Sequence, residues 1–167
     1  SGSHAISAGD GKTLSVWSAV TGKKLLDIPT GDQVVQAIAI AADGSEVSVA
    51  DATGLRRWTL DLVDGELTAG AVSPLIAETS VVAVDYADSG MILAATADNH
   101  VQRINAASGR VSETITLAAA TPALVAVAGI EQGAVPPGIL VAAANEPLLH
   151  AVAIDLILTG HEGAVTG

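Results

Sequence analysis

The chain has 167 residues, half of them hydrophobic, with no Cys, no Phe, one Tyr and two Trp, and a net charge of −11. A charge of that sign opposes phosphate backbones and anionic membrane surfaces, and the seven basic residues never run longer than two. The lack of cysteine removes disulfides, thiolate metal sites and Cys nucleophiles, and it suits a reducing compartment, so the expected setting is cytoplasmic. The first four residues, SGSH, read as an expression scar, which leaves 5–167 as one domain.

In chain order, SAGDGKTLSVWSAVTGKKL (7–25) is a short apolar strand, an Asp-containing turn, a second strand ending near Trp17, a TG turn and the start of a third strand. VVQAIAIAADG (34–44) follows as a strand apolar on both faces, with Val35, Ala37, Ala39 and Ala41 on one side and Val34, Ile38 and Ile40 on the other. Apolar residues on both faces predict burial on both sides. VADATGLRRWTLDLVDGEL (49–67) repeats the first pattern around Trp58, with DG (64–65) in the place of TG. SVVAVDYADSG (80–90) is another two-sided strand, and AATADNHVQRINAASGRV (94–111) is a third copy ending near Ile104. ALVAVAG (123–129) and the weaker copy LVAAANEPLLHAVAI (140–154) complete the series. Between them, EQGAVPPG (131–138) reads as a long loop stiffened by Pro136 and Pro137. The longest apolar stretch, 117–130, has 14 residues and contains Pro122, too short for a membrane span.

The spacing from Trp17 to Trp58 is 41 residues and from Trp58 to Ile104 is 46. Repeats of that length with several strands each mark a β-propeller, and no stretch carries a clean helical stripe. The fold class is therefore all-β: four-stranded antiparallel blades, about four to the chain.

The segments TGHEGAV (159–165), TLSVWSAVTGKKL (13–25) and VVQAIAIAADGSEVSVADATGLRRW (34–58) resemble the WD-repeat propeller family. The Trp-Asp pair itself is missing, since Ser18 follows Trp17 and Thr59 follows Trp58, and the Gly-His dipeptide occurs once, at 160–161. The resemblance implies a structural hydrogen-bond network of His161, Ser7, Asp10 and Trp17, and no catalytic role for these residues. It also implies a protein-interaction scaffold. With strands named a to d from the axis outward, the chain reads b-c-d, three times a-b-c-d, then a: 16 strands, the last being GAVTG (163–167). Four blades of a usual ring span little over half a circle, so two chains closing one ring of about eight blades is the expected assembly. A self-closed four-bladed monomer and a piece of a longer propeller are the alternatives.

The remaining chemistry is sparse. No HExxH, no EF-hand loop and no phosphate-binding glycine loop is present, so no catalytic residue, cofactor or metal is expected. The turn aspartates Asp43, Asp51, Asp64, Asp88 and Asp98 suit turn capping, and His100 reads as a solvated loop residue. The candidate interaction residues are the lone basic pair, Arg56 and Arg57, and the 131–138 segment with Glu131, Gln132, Pro136 and Pro137. One of the two arginines must point off the buried face of its strand, where it suits an acidic partner; a local ion pair with Asp51 or Asp61 is the simpler reading. A non-enzymatic scaffold binding proteins, including a second copy of itself, is the leading reading. A purely structural half-ring and a ligand-sensing propeller domain are the others.

Overall fold

The computed structural model describes residues 3–9, 12–87 and 90–116 in full, and the backbone strands 124–132, 135–143, 148–152 and 156–159 beyond them. Alternating apolar residues broken by Asp and Gly turns leave no room for a helix, and every described element is a strand. Four antiparallel sheets follow one another as blades. The first contains β1 (His4–Ala8), β2 (Thr13–Ser18) and β3 (Lys24–Pro29). The second contains β4 (Val35–Ile40), β5 (Glu46–Asp51), β6 (Gly54–Val63), β7 (Glu66–Ala69) and β8 (Ser73–Ala77). The third runs from β9 (Val81–Ala87) through β10 (Met91–Thr96) and β11 (His100–Asn105) to β12 (Val111–Thr116). The fourth is β13 (Leu124–Gln132), β14 (Val135–Ala143), β15 (Leu148–Val152) and β16 (Leu156–Thr159). The inner strands β4, β9 and β13 stand side by side, and β1 stands next to β4.

The core is a set of layers between blades. Leu14, Val16 and Ile28 of the first blade meet Val47, Val49, Trp58 and Leu60 of the second. Ala50 and Leu55 on the other face of the second blade meet Val81, Ile92, Ala94 and Ile104 of the third. Ala83, Leu93, Ala95 and Val101 line the far face of the third blade, where β13 packs against β9 and β10. The second and third blades must therefore be apolar on both faces, which is why their inner strands read as runs of Val, Ile and Ala rather than as apolar-polar alternation. Burying each Val, Leu or Ile side chain among them contributes roughly 1.5–3 kcal/mol before the entropy cost is subtracted.

Sixteen strands lie among the described residues, but not the sixteen expected. GAVTG lies outside the described residues, and the extra strand is β7. The DG pair at 64–65 was expected to lead into the outer strand of the second blade. Instead Asp64 and Gly65, both at positive φ (53° and 83°), turn the chain back as β7 along the extension of β6. That is the type I′ geometry of a two-residue hairpin. The outer strand is β8, which pairs with Gly54–Arg57 at the other end of β6. Gly54, at φ 141°, lets β8 come close: a Cβ there would lie 2.1 Å from the Ile76 carbonyl oxygen. The inserted hairpin accounts for the longer spacing between Trp58 and Ile104.

Within the 131–138 segment, expected as a long loop, residues 131–132 and 135–138 belong to strands. β13 and β14 continue to Gln132↔Val135, with only 133–134 between them. The register skips at Glu131, opposite Pro136 and Pro137. An irregularity there suits two prolines, which have no N–H to give to the ladder. Val34, expected to be buried with Ile38 and Ile40, is 81% exposed, because the register shift between Val35 and Ala37 ends the regular strand there. His4, set aside as scar, is the first residue of β1 and pairs with Ser18. His100 opens β11 rather than lying in a loop, its Nδ1 3.2 Å from Asp98.

Candidate interaction surfaces

Arg56 and Arg57 are adjacent on β6, so their side chains leave opposite faces of the blade. Arg56 turns towards the first blade. It pairs with Asp51, donates to the Thr30 carbonyl oxygen at 2.7 Å and lies 5.9 Å from the centre of the Trp58 ring. Arg57 turns towards the third blade, pairing with Glu46 at 2.9 Å and donating to the Ala106 carbonyl. The pair thus joins three consecutive blades. A sheet in which one face meets solvent would have freed one arginine for an acidic partner, but here both faces are interfaces.

Asp51 is fully buried and anchors the first of these links. Its carboxylate also accepts the Thr53 N–H at 2.7 Å and the Thr53 hydroxyl at 2.6 Å. Burial acts to raise its pKa, but the Thr53 hydrogen bonds and Arg56 outweigh it and hold the carboxyl below the ordinary range. Asp43 performs the simpler turn-capping role with Ser45, its Oδ1 accepting both the N–H and the hydroxyl.

Beside the second link, the Tyr86 hydroxyl meets the Ser48 hydroxyl at 2.8 Å across the interface between the second and third blades. Burial raises the phenol pKa. The folded state then keeps its proton where an unfolded tyrosine loses it, so stability falls as pH rises above about 10. Tyr86→Phe is expected to cost about 1–2 kcal/mol at neutral pH, chiefly by leaving Ser48 without its partner. Denaturant melts across pH 7–11 should show a shallower alkaline decline for the variant than for the parent. Neither Tyr86 nor Glu46 stood out in the sequence. The signal available was the chain's one tyrosine on an inner strand that is aliphatic apart from Asp85.

The predicted structural network is in part within view. Trp17 Nε1 donates to Ser7 Oγ at 2.8 Å; Asp10 and His161 lie outside the described residues. Registers relate Trp17 to Trp58 and Ile104, Ala5 to Val47 and Ile92, and Ser7 to Val49 and Ala94. Trp58 is 6% exposed under the first blade and Ile104 is buried under the second. Trp17 is only half-buried, Ala5 and Ser7 are exposed, and Leu25 on the same face is 42% exposed. No described strand covers that face, and β1 pairs on one edge only, with β2.

Antiparallel order places the 41–45 turn, residues 106–110, the paired ends of β13 and β14 at Gln132 and Val135, and the β6–β7 hairpin at one end of the blades. A cleft of about 290 Å³ opens there, lined by Ala41, Asp43, Glu46, Tyr86 and Ala106. A second, of about 440 Å³, lies between the first and second blades near Gly9, Lys12, Asp32 and Val34, with Lys12 and Asp32 paired across it. Among the described residues no group of three or more His, Cys, Asp or Glu is placed to hold a metal, and no helix is long and apolar enough to cross a membrane. The predicted Glu131, Gln132, Pro136 and Pro137 fall at the β13–β14 tip, at the same end as the 290 Å³ cleft.

No protein-family model matches the chain, and no curated protein matches it in sequence. Solved structures do. The structure of U3-55K and the crystal structure of the RRP9 WD40 repeats each superpose with a TM-score of 0.73 at 18% identity, over 98% of this chain. The chain spans about half the length of the solved structures it matches, 50% and 49% respectively.

Proposed function

We propose that this chain, which has the fold of WD40-repeat β-propellers, is a non-enzymatic scaffold for protein partners and that it completes its ring with a second copy of itself. The observation that supports this reading is the unequal treatment of equivalent faces. Trp58 and Ile104 are covered by a preceding blade, whereas Trp17 is only half-buried and Leu25 is exposed, on a sheet whose inner edge has no partner strand among the described residues. A blade face of this kind is completed by another blade. The buried charged groups are occupied in joining blades, so the end turns and the β13–β14 tip are what the scaffold offers to other proteins. An acidic, cysteine-free chain suits the cytoplasm.

Light scattering on a sizing column across a concentration series tests the assembly. A mass about twice 16.5 kDa that holds on dilution is the expected result. A mass that stays near 16.5 kDa at every concentration removes the two-chain ring. The scaffold role is tested separately: a saturable protein partner of the full chain is expected to be lost when 131–138 is shortened.

A further inference from the structure

We infer that the β6–β7 hairpin is a docking arm, which takes an extended segment alternating aliphatic and basic residues as a strand added to the free edge of β7. This rests on the scaffold reading and names the kind of partner.

The hairpin is an addition to the blade. β5 ends its pairing at Glu46↔Thr59, so Leu60–Val63 and Glu66–Ala69 run on beyond it. The base is anchored: Leu60 is 6% exposed, Leu67 and Ala69 pack on the layer between the first and second blades, and Leu60 N–H donates to the Ser45 carbonyl at 2.7 Å. The tip is not covered, with Leu62 74% and Val63 52% exposed.

Register sorts the side chains into two faces. Leu60↔Ala69 and Leu62↔Leu67 share one, and Asp61↔Thr68 and Val63↔Glu66 share the other. The Gly70 N–H bonds the Thr59 carbonyl at 2.9 Å, making Thr59 and Gly70 a hydrogen-bonded pair. Antiparallel pairs alternate, so Asp61↔Thr68 and Val63↔Glu66 are also bonded pairs, and the backbone groups of Leu67 and Ala69 point to the free edge. Among the described residues β7 has no strand partner but β6. The outer strands β3 and β8 carry Lys24, Pro29 and Pro74, residues that blunt an edge. β7 carries neither lysine nor proline; the outer strand β12 also lacks both, but its Glu113 is paired with Arg103.

Charge selects the occupant. Asp61, Asp64 and Glu66 are exposed around the tip, and none joins an ion pair among the described residues. No Lys or Arg occurs between Arg57 and Arg103. A strand added beside β7 would set alternate side chains on the Leu62/Leu67 face and on the Asp61/Glu66 face. Aliphatic residues fit the first and Lys or Arg the second, the general mode of strand addition with pockets for alternate side chains.

The probe is a dye-labelled short peptide alternating lysine and valine, titrated against the full chain by fluorescence anisotropy. Controls are a glutamate–valine alternation and a block peptide of the same lysine and valine composition. Saturable binding of the lysine–valine alternation alone is expected. Asp61→Lys with Glu66→Lys should weaken it by about tenfold or more and admit the glutamate–valine peptide. Ala69→Pro, which removes an outward N–H, should weaken it similarly; the exposed charge pair keeps the test valid should that proline prevent folding. Equal binding of the block peptide, or unchanged affinity in the charge-reversed chain, overturns the assignment. If the peptide fails to bind while partner capture through 131–138 persists, only the hairpin assignment falls. Loss of both removes the scaffold reading as well.

Discussion

Asp51→Ala is expected to destabilise the chain by about 3–5 kcal/mol, because it leaves a partly buried guanidinium without its carboxylate. The side chain is fully buried and has three links to lose: Arg56, the Thr53 N–H and the Thr53 hydroxyl. Arg56 would then keep the Thr30 carbonyl and the Trp58 ring, and its position across the interface with the first blade would slacken. For a chain of this size that loss lowers Tm by roughly 10 °C. Asp51→Asn retains an acceptor for the turn and removes the charge, so it should fall between the variant and the parent. The pH dependence separates the two roles. The folded pKa lies below the unfolded value near 3.9, so the ionised side chain stabilises fully above that pH. Its contribution disappears as pH falls through the lower folded value. Parent and Asp51→Asn stability curves should therefore stand apart at pH 7 and converge in acid, read by denaturant midpoints between pH 2 and 7. Curves that stay parallel would show that the charge on Asp51 does not hold the link.

The propeller class was legible because it depends on local features: turns rich in Asp and Gly, strands apolar on both faces, and a repeat spacing that matches a four-stranded blade. What escaped was long-range. β7 was misplaced because a DG turn says that a hairpin closes, not which two strands it joins, and both hairpins fit the same letters. The 131–138 segment looked like a loop because two adjacent prolines discourage pairing; the register skip at Glu131 is visible only in the ladder. For the arginine pair, Asp51 is legible as a local partner and Arg56 takes it, but the logic of a one-sided sheet, which points one arginine off the buried face, does not apply. In a propeller both members have a neighbouring blade to reach, and the acceptors, Thr30 and Ala106, are 26 and 49 residues away in the chain. They are backbone carbonyls, which no side-chain pattern announces.

The two tryptophans give the sharpest test of what covers the first blade. Trp58→Ala should cost about 3–5 kcal/mol in any assembly state, since the ring fills the layer with Leu14, Val16 and Ile28 and lies beside Arg56. Trp17 occupies the equivalent register position, yet it is half-buried and its one described hydrogen bond goes to an exposed serine. In an isolated chain Trp17→Ala should therefore cost only about 1 kcal/mol. In a two-chain ring it becomes a core residue of the joint, and its loss should both destabilise by an amount close to that of Trp58→Ala and lower the mass measured by light scattering. Paired melts of the two variants, with sizing at matched concentrations, distinguish these outcomes. A small effect of Trp17→Ala with unchanged mass places the joint elsewhere. Equal effects with dissociation place it on the face of Ala5, Ser7 and Trp17. Small side chains at the first two positions, where the second blade has Val47 and Val49, leave room for larger residues from the covering blade.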